Sequence, residues 1–311
     1  MKIGLIDVDG HHYPNLALMK ISAYHKARGD SVEWYDTMFS GRMDKVYVSK
    51  IFSFSPDYER FIDADEVVYG GSGYCISIRD GKEVYDTEKD IQLPPEIEHI
   101  YPDYSLYGVT DTAYGFLSRG CPNNCGFCHV CAKEGRNSHK VADLSEWWSG
   151  QNNIVLCDPN LLACREHMDL LRQLEESGSW VDINQGLDAR LLTPRNIEAI
   201  KRIKIKEIHF AWDLMENSKW IIRGLNTWKR FGKKDRHGSW GTVYVLTNYD
   251  TTMAENLYRI YKLREIGFES YVMIYDKPNA PQEVRYLQRW CNNKIIFKST
   301  KRFEDFDPKK G

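Results

Sequence analysis

The segment Ser118-Arg119-Gly120-Cys121-Pro122-Asn123-Asn124-Cys125-Gly126-Phe127-Cys128 sets three thiols at C-x3-C-x2-C spacing, and Cys131 follows three residues later. Three thiolates on one loop can hold three irons of a 4Fe-4S cluster and leave the fourth iron open. An open iron binds and activates a ligand, where a saturated cluster only passes electrons. Gly120, Pro122 and Gly126 let such a loop wrap a bulky group without side-chain clashes. Other chemistries compete. Four cysteines can close a zinc site, but structural zinc usually pairs two separated knuckles. None of Cys75, Cys157, Cys164 and Cys291 supplies a second C-x-x-C. Cys125-Gly126-Phe127-Cys128-His129 also matches the haem-attachment pattern C-x-x-C-H, which generally requires export. Cys131 is either the fourth ligand of a closed cluster or a bystander on the same turn.

A ligand loop needs a frame. Residues 2–8 are an apolar run ending in acid and glycine, which reads as a buried strand. Leu16, Met19, Ala23 and Ala27 recur at helical spacing behind Pro14-Asn15, with Gly29 as a stop. SVEWY (31–35), KVYVS (45–49) and EVVYGG (66–71) are strand candidates rich in β-branched and aromatic residues. Strand, turn, helix, strand is the rhythm of a parallel α/β sheet, so residues 1–91 are expected to form a small Rossmann-like domain. Pro94, Pro95 and Pro102 mark 92–112 as a linker. A second series offers strands at 114–118, 153–157, 181–184, 207–212, 242–247 and 270–275, with helices at 167–177, 194–203 and 255–267. That order predicts a partial (β/α)6 barrel over 113–290, with active-site groups at the carboxyl ends of its strands. A C-terminal extension, 291–311, ends in a polar tail expected to close over the surface or fray. The fold class is α/β, a barrel behind a small Rossmann-like domain.

On the loop after the first barrel strand, Cys121, Cys125, Cys128 and the aromatic Phe127 resemble the radical S-adenosylmethionine (SAM) superfamily. The resemblance implies that the three cysteines hold a 4Fe-4S cluster whose open iron chelates SAM. It further implies reductive cleavage of SAM to methionine and a 5′-deoxyadenosyl radical that modifies a substrate. A reductant such as flavodoxin or ferredoxin and sensitivity to oxygen go with it. In such barrels the second strand end contacts the SAM amino group. Here it reads Cys157-Asp158-Pro159-Asn160, a departure from the usual glycine-glycine-glutamate, with Asp158 as acceptor or as a simple Asx turn. After the third strand, Asn184 and Gln185 suit ribose, and Arg190 suits a carboxylate through a bidentate fork. Asp213, ending the fourth strand, stands where relatives often carry a glutamate. Residues 247–250 and 275–277 end the fifth and sixth strands and are expected to be structural. Cys131 is read as a bystander, because a saturated cluster leaves a barrel of this size without evident purpose. The alternative is an iron-sulfur electron-transfer protein with a closed four-cysteine cluster.

The N-terminal domain resembles the cobalamin-binding domain that precedes many such barrels. Its histidine pattern, D-x-H-x-x-G, is out of register in Asp7-Val8-Asp9-Gly10-His11-His12, so cobalamin binding is not expected. Gly70-Gly71-Ser72-Gly73 is a weak phosphate-loop signal. Methylthiotransferases of this superfamily need three further cysteines in the N-terminal domain, where only Cys75 lies. Composition narrows the remainder. The 311 residues carry 42 Lys+Arg against 44 Asp+Glu, a net charge of −2, which argues against a chain coated in nucleic acid. No apolar run approaches the ~18 residues of a membrane helix, and the N-terminus lacks a secretory pattern, so a cytoplasmic protein is expected. Between Arg223 and His237 six cations meet one acid, with Trp228 and Phe231 interleaved. That footprint places a nucleotide or nucleic acid slightly ahead of a peptide as substrate. The favoured reading of the stretch itself is a solvated helix and loop whose aromatics pack inward.

Overall fold

The computed structural model describes residues 1–11, 13–79 and 82–309. The chain divides into two compact units. One comprises Met1–Phe116, Gly120–Arg136 and Val141–Ile154; the other comprises Leu117–Arg119, Asn137–Lys140 and the described residues from Val155 onward.

The first unit opens with β1 (Lys2–Asp7), α1 (Leu16–Ala27), β2 (Ser31–Trp34), β3 (Met43–Ser49) and β4 (Ala64–Gly70). These strands pair in parallel in the order β2-β1-β3-β4. The side chain of Asn15 caps α1 by accepting from the Leu18 N–H, while its amide donates to Ser49 Oγ at 2.8 Å. Ile3 and Leu5 of β1 are buried with Leu18 and Ile21 of α1, and Ile6 joins Met43, Val46 and Val48. Then come α2 (Ser72–Cys75), the hairpin β5 (Ile76–Arg79) and β6 (Lys82–Tyr85), and α3 (Pro95–Glu98). Residues 92–112 depart from the linker expectation. Pro94 and Pro95 sit at the start of α3, where a missing N–H costs nothing. Ile97 joins the core of Ile3, Leu5 and Leu18, and the buried Tyr104 donates its hydroxyl to the Trp147 carbonyl at 2.7 Å. Proline at a helix start organises this segment.

Next in the chain are β7 (Thr112–Gly115), β8 (Ser118–Arg119), α4 (Val130–Glu134), β9 (His139–Lys140), β10 (Asn153–Leu156), α5 (His167–Ser177) and β11 (Trp180–Leu187). They are followed by α6 (Pro194–Arg202), β12 (Lys204–Ala211), α7 (Ser218–Phe231), β13 (Thr242–Thr247), α8 (Met253–Ile266), β14 (Glu269–Ile274), α9 (Gln282–Asn292) and α10 (Lys294–Ser299). The six-stranded sheet has the order β7-β10-β11-β12-β13-β14, and the fold is α/β as the sequence predicts. β8 and β9 form a separate antiparallel pair.

Alternation along the second unit's strands divides the sheet into two faces. Val181, Ile183, Val243, Val245 and Val272 are buried, while Asp182, Asn184, Tyr244 and Tyr271 alternate with them and are not. Capping boxes start α6 (Thr193 and Asn196) and α8 (Thr252 and Glu255). Gly224 of α7 packs onto the turn at Ala189–Leu191; a Cβ there would stand 1.8 Å from the Ala189 carbonyl oxygen. The tail is anchored by aromatic residues. Trp290 packs against Phe297 and Phe303 and donates Nε1–H to the Thr300 carbonyl at 2.9 Å. Among the described residues no helix is long and apolar enough to cross a membrane.

Candidate functional site

The cysteine loop belongs to the first unit, and none of its four cysteines is in a disulfide. Backbone turns shape it. The Cys121 N–H donates to the Gly135 carbonyl at 3.2 Å and the Cys128 N–H to the Cys125 carbonyl at 3.1 Å. Gly120 (φ +84°) and Asn124 (φ +46°) take the left-handed conformation that glycine and asparagine accept most readily. From α4, Glu134 accepts the Gly120 N–H at 3.1 Å, and Cys131 Sγ donates to the Cys121 carbonyl at 3.0 Å. Cys121, Cys125, Phe127 and Cys131 are half-buried and Cys128 is exposed. Surrounding protein pushes the Cys128 thiol up to about 11, and its neighbours Cys121 and Cys131 push the same way. Soft sulfur donors crowded on one loop suit a cation that holds them as thiolates, so the donor set fits an iron-sulfur cluster. His129 stacks on Tyr85 at 5.7 Å, with Nδ1 3.4 Å from Glu83 Oε2.

The other candidates lie in the second unit. Asp158 is buried, and its carboxylate accepts the Leu117 N–H at 2.8 Å, the Ser118 N–H at 2.6 Å and the Ser118 hydroxyl. This side chain ties down the strand that leads into the cysteine loop. Arg190 spends its fork on Asp188, with Nε and Nη2 donating at 2.8 and 2.7 Å, and Nη1 reaches Asn217 Oδ1 at 3.4 Å. Burial raises Asp213 to about 6, against the pull of Arg259 and, more weakly, Arg190. Asp188, Arg190 and Asp213 are thus brought together, after β11 and β12, the third and fourth strands of the six-stranded sheet.

Arg259 is the residue that pattern reading missed. Fully buried on α8, it donates to the carbonyls of Trp212, Asp213 and Leu246 at 2.6 to 2.7 Å and to Asn256 Oδ1 at 2.5 Å. Its Nε has no hydrogen-bond partner, and burial lowers its pKa to about 10, so it stays charged near neutral pH. The signal was present. Asn256, Arg259, Ile260 and Leu263 form the buried stripe of α8, and two of the four are polar.

Asn184 and Gln185 line a cavity of about 910 Å³ together with Glu207, His209, Tyr244 and Tyr271. Tyr244 donates its hydroxyl to the Asn184 carbonyl at 2.9 Å and stacks on His209 at 5.1 Å. Arg264, Lys294, Lys298 and Lys301 line it too, beside Phe268 and Phe297. The basic and aromatic stretch 223–237 is otherwise engaged. Trp228 is fully buried with Nε1–H on the Trp240 carbonyl, and Lys229 and Lys233 donate to the Ile266 and Ile203 carbonyls. Phe231 is exposed.

Several smaller motifs resolve as structure. At Gly71 and Gly73 an added Cβ would stand 2.3 and 2.6 Å from Lys50 atoms, and the Gly73 N–H donates to the Lys50 carbonyl. Close backbone approach accounts for these glycines. His11 stacks on Trp34 at 4.1 Å, and Tyr107 donates to Asp7 at 2.6 Å; His12 lies outside the described residues. Asn248, Asp250 and Asp276 are left-handed turn residues, and Asn248 Nδ2 donates to the Tyr275 carbonyl at 2.8 Å.

No family model matches the chain. A CDK5RAP1-like protein from Oryza sativa subsp. japonica is 27% identical over 143 residues, a match covering 42% of this chain and 24% of that protein's length.

Proposed function

We propose that this chain is a radical SAM enzyme. The observation that carries the reading is three cysteines at C-x3-C-x2-C spacing on one loop directly after β8. The six-stranded α/β sheet and the partial likeness to a CDK5RAP1-like protein support it. Cys121, Cys125 and Cys128 would hold a 4Fe-4S cluster. When bound, the cluster supplies an electron that cleaves SAM to methionine and a 5′-deoxyadenosyl radical.

The remaining roles fall to the chain's own groups. Asp158 orders Leu117 and Ser118 ahead of the loop. Asn184 and Gln185 offer amides to the cavity, and Asp188 holds Arg190 in one orientation. The substrate we propose is an anionic aromatic compound of nucleotide type. Tyr244, Tyr271 and Phe297 offer ring faces in the same cavity as Lys294, Lys298 and Lys301. A flavodoxin or ferredoxin would serve as reductant. Cobalamin has no part in this reading, since Asp7, His11 and His12 are out of register with the D-x-H-x-x-G pattern.

The test is anaerobic reconstitution with iron and sulfide, then dithionite and SAM, with 5′-deoxyadenosine followed by mass spectrometry. Its formation, and its loss in Cys125→Ala, is the expected result. One observation favours a second reading. Cys131 Sγ lies on the same loop, 3.0 Å from the Cys121 carbonyl oxygen, which suits a closed four-cysteine electron-transfer cluster. Cys131→Ala separates the two, sparing cluster and SAM cleavage in the enzyme and destroying the cluster in the rival.

A further inference from the structure

One part of the second unit's polar face carries a group of side chains that SAM cleavage leaves unused. Val181 pairs with Ile205, but Asp182 pairs with Glu207, so Lys206 is skipped in the register. This bulge places Glu207 opposite Asp182, where an unbroken ladder would put Lys206. One ligand atom from each of Asp182, Glu207 and His209 lies within 4.8 Å of the other two.

His209 has a side chain only 9% exposed, and its Nδ1–H donates to the Ile183 carbonyl at 3.1 Å. A carbonyl can only accept, so this bond puts a proton on Nδ1, and Nε2 is the nitrogen left to bind a cation. That nitrogen faces Glu207 Oε2 at 3.7 Å, and the other Glu207 oxygen faces His237 Nε2 at 3.8 Å. Asp182 Oδ1 is buried without a hydrogen bond, 3.5 Å from His209 Nδ1. The bond between the Arg236 N–H and the Ile205 carbonyl holds the His237 loop beside β12.

Glu207 stands between two imidazole nitrogens, with the unsatisfied Asp182 oxygen close by, and a cation among them would satisfy all of these groups. Zinc-to-ligand bonds of about 2.1 Å place neighbouring ligand atoms roughly 3.4 Å apart, so a small closure completes a coordination shell. A histidine whose far nitrogen donates to a backbone carbonyl is the usual arrangement of a metal ligand. We propose that Asp182, Glu207, His209 and His237 bind a divalent transition-metal ion on the wall of the cavity. Mixed nitrogen and oxygen donors suit zinc, manganese or iron(II), in contrast to the all-sulfur loop.

The test uses the full chain and zinc as probe, and its readout is independent of SAM cleavage. Wild type and Glu207→Gln are equilibrated in parallel with Zn²⁺, desalted, and counted for zinc per chain. Cysteine-bound zinc contributes equally to both. Wild type is expected to keep one equivalent more than Glu207→Gln. His237→Ala changes an exposed side chain and leaves the core intact; it is expected to weaken that equivalent by about tenfold or more. Equal zinc in wild type and Glu207→Gln, with both folded by circular dichroism, overturns the proposal. If Glu207→Gln fails to fold, zinc retention unchanged in His237→Ala overturns it instead.

Discussion

The cysteine loop and the polar interior of the second unit handle reactive groups in opposite ways. The loop keeps its thiols at or near the surface and shapes them with backbone turns at Gly120 and Asn124. The second unit buries a whole guanidinium, Arg259, and ties three strand-end carbonyls to it. The first arrangement is local and needs only ligand spacing and permissive backbone. The second is assembled from α8 and the ends of β12 and β13, and it exists only once these are packed. A loop built from local turns can take its shape independently of the sheet, whereas the Arg259 knot forms with the fold itself.

The largest effect that sharpens this contrast comes from Gly224→Ala. The new Cβ would collide with the Ala189 carbonyl, and unlike a side chain that backbone cannot step aside. A loss of more than about 3 kcal/mol is expected in denaturant unfolding, with the Asp188–Arg190 turn displaced. Arg259→Gln comes next, expected to cost about 3 kcal/mol because the carbonyls of Trp212, Asp213 and Leu246 lose a charged donor. A variant as stable as wild type breaks the contrast.

Asp158→Asn should cost about 2 kcal/mol, since one of two acceptor oxygens becomes a donor facing N–H groups. Reconstituted cluster content should fall with it, read from iron per chain. The smallest effect belongs to Asp213. Its carboxyl titrates near 3.8 unfolded but about 6 in the folded chain. Its contribution is therefore fully present below pH 3.8, lost as pH rises through about 6, and constant above. Wild type should lose about 1–2 kcal/mol relative to Asp213→Asn across that window, a discounted figure because the residue keeps partial surface exposure. Parallel stability curves from pH 3.5 to 7 would remove Asp213 from the account.

Local pattern made much of the frame legible. Helix α5 falls where its periodicity sets it, and β13 runs from Thr242 to Thr247 as its alternation reads. What local pattern leaves open shares a cause. Residues 92–112 look like a linker because proline is a breaker in isolation, yet Pro94 and Pro95 start a short helix whose Ile97 enters the core. The cations and aromatics of 223–237 admit two readings in the sequence, and it takes the packed unit to show Lys229 and Lys233 on carbonyls from other elements. The bulge at Lys206, which faces Glu207 with Asp182, has no local signature in a strand of alternating cations and apolar residues.

Residue type and spacing at Cys121, Cys125 and Cys128, the α/β alternation and most strand positions were determined by the sequence alone, because each depends on neighbours within a few residues. The partners of Asp158, Arg190, Asp213 and Arg259, and the meeting of Asp182, Glu207, His209 and His237, were decided by tertiary structure. Those contacts join residues from 2 to 55 positions apart. For all but the nearest of them, a polar group's partner is chosen by which strand ends and helices pack together, and no local propensity records that choice.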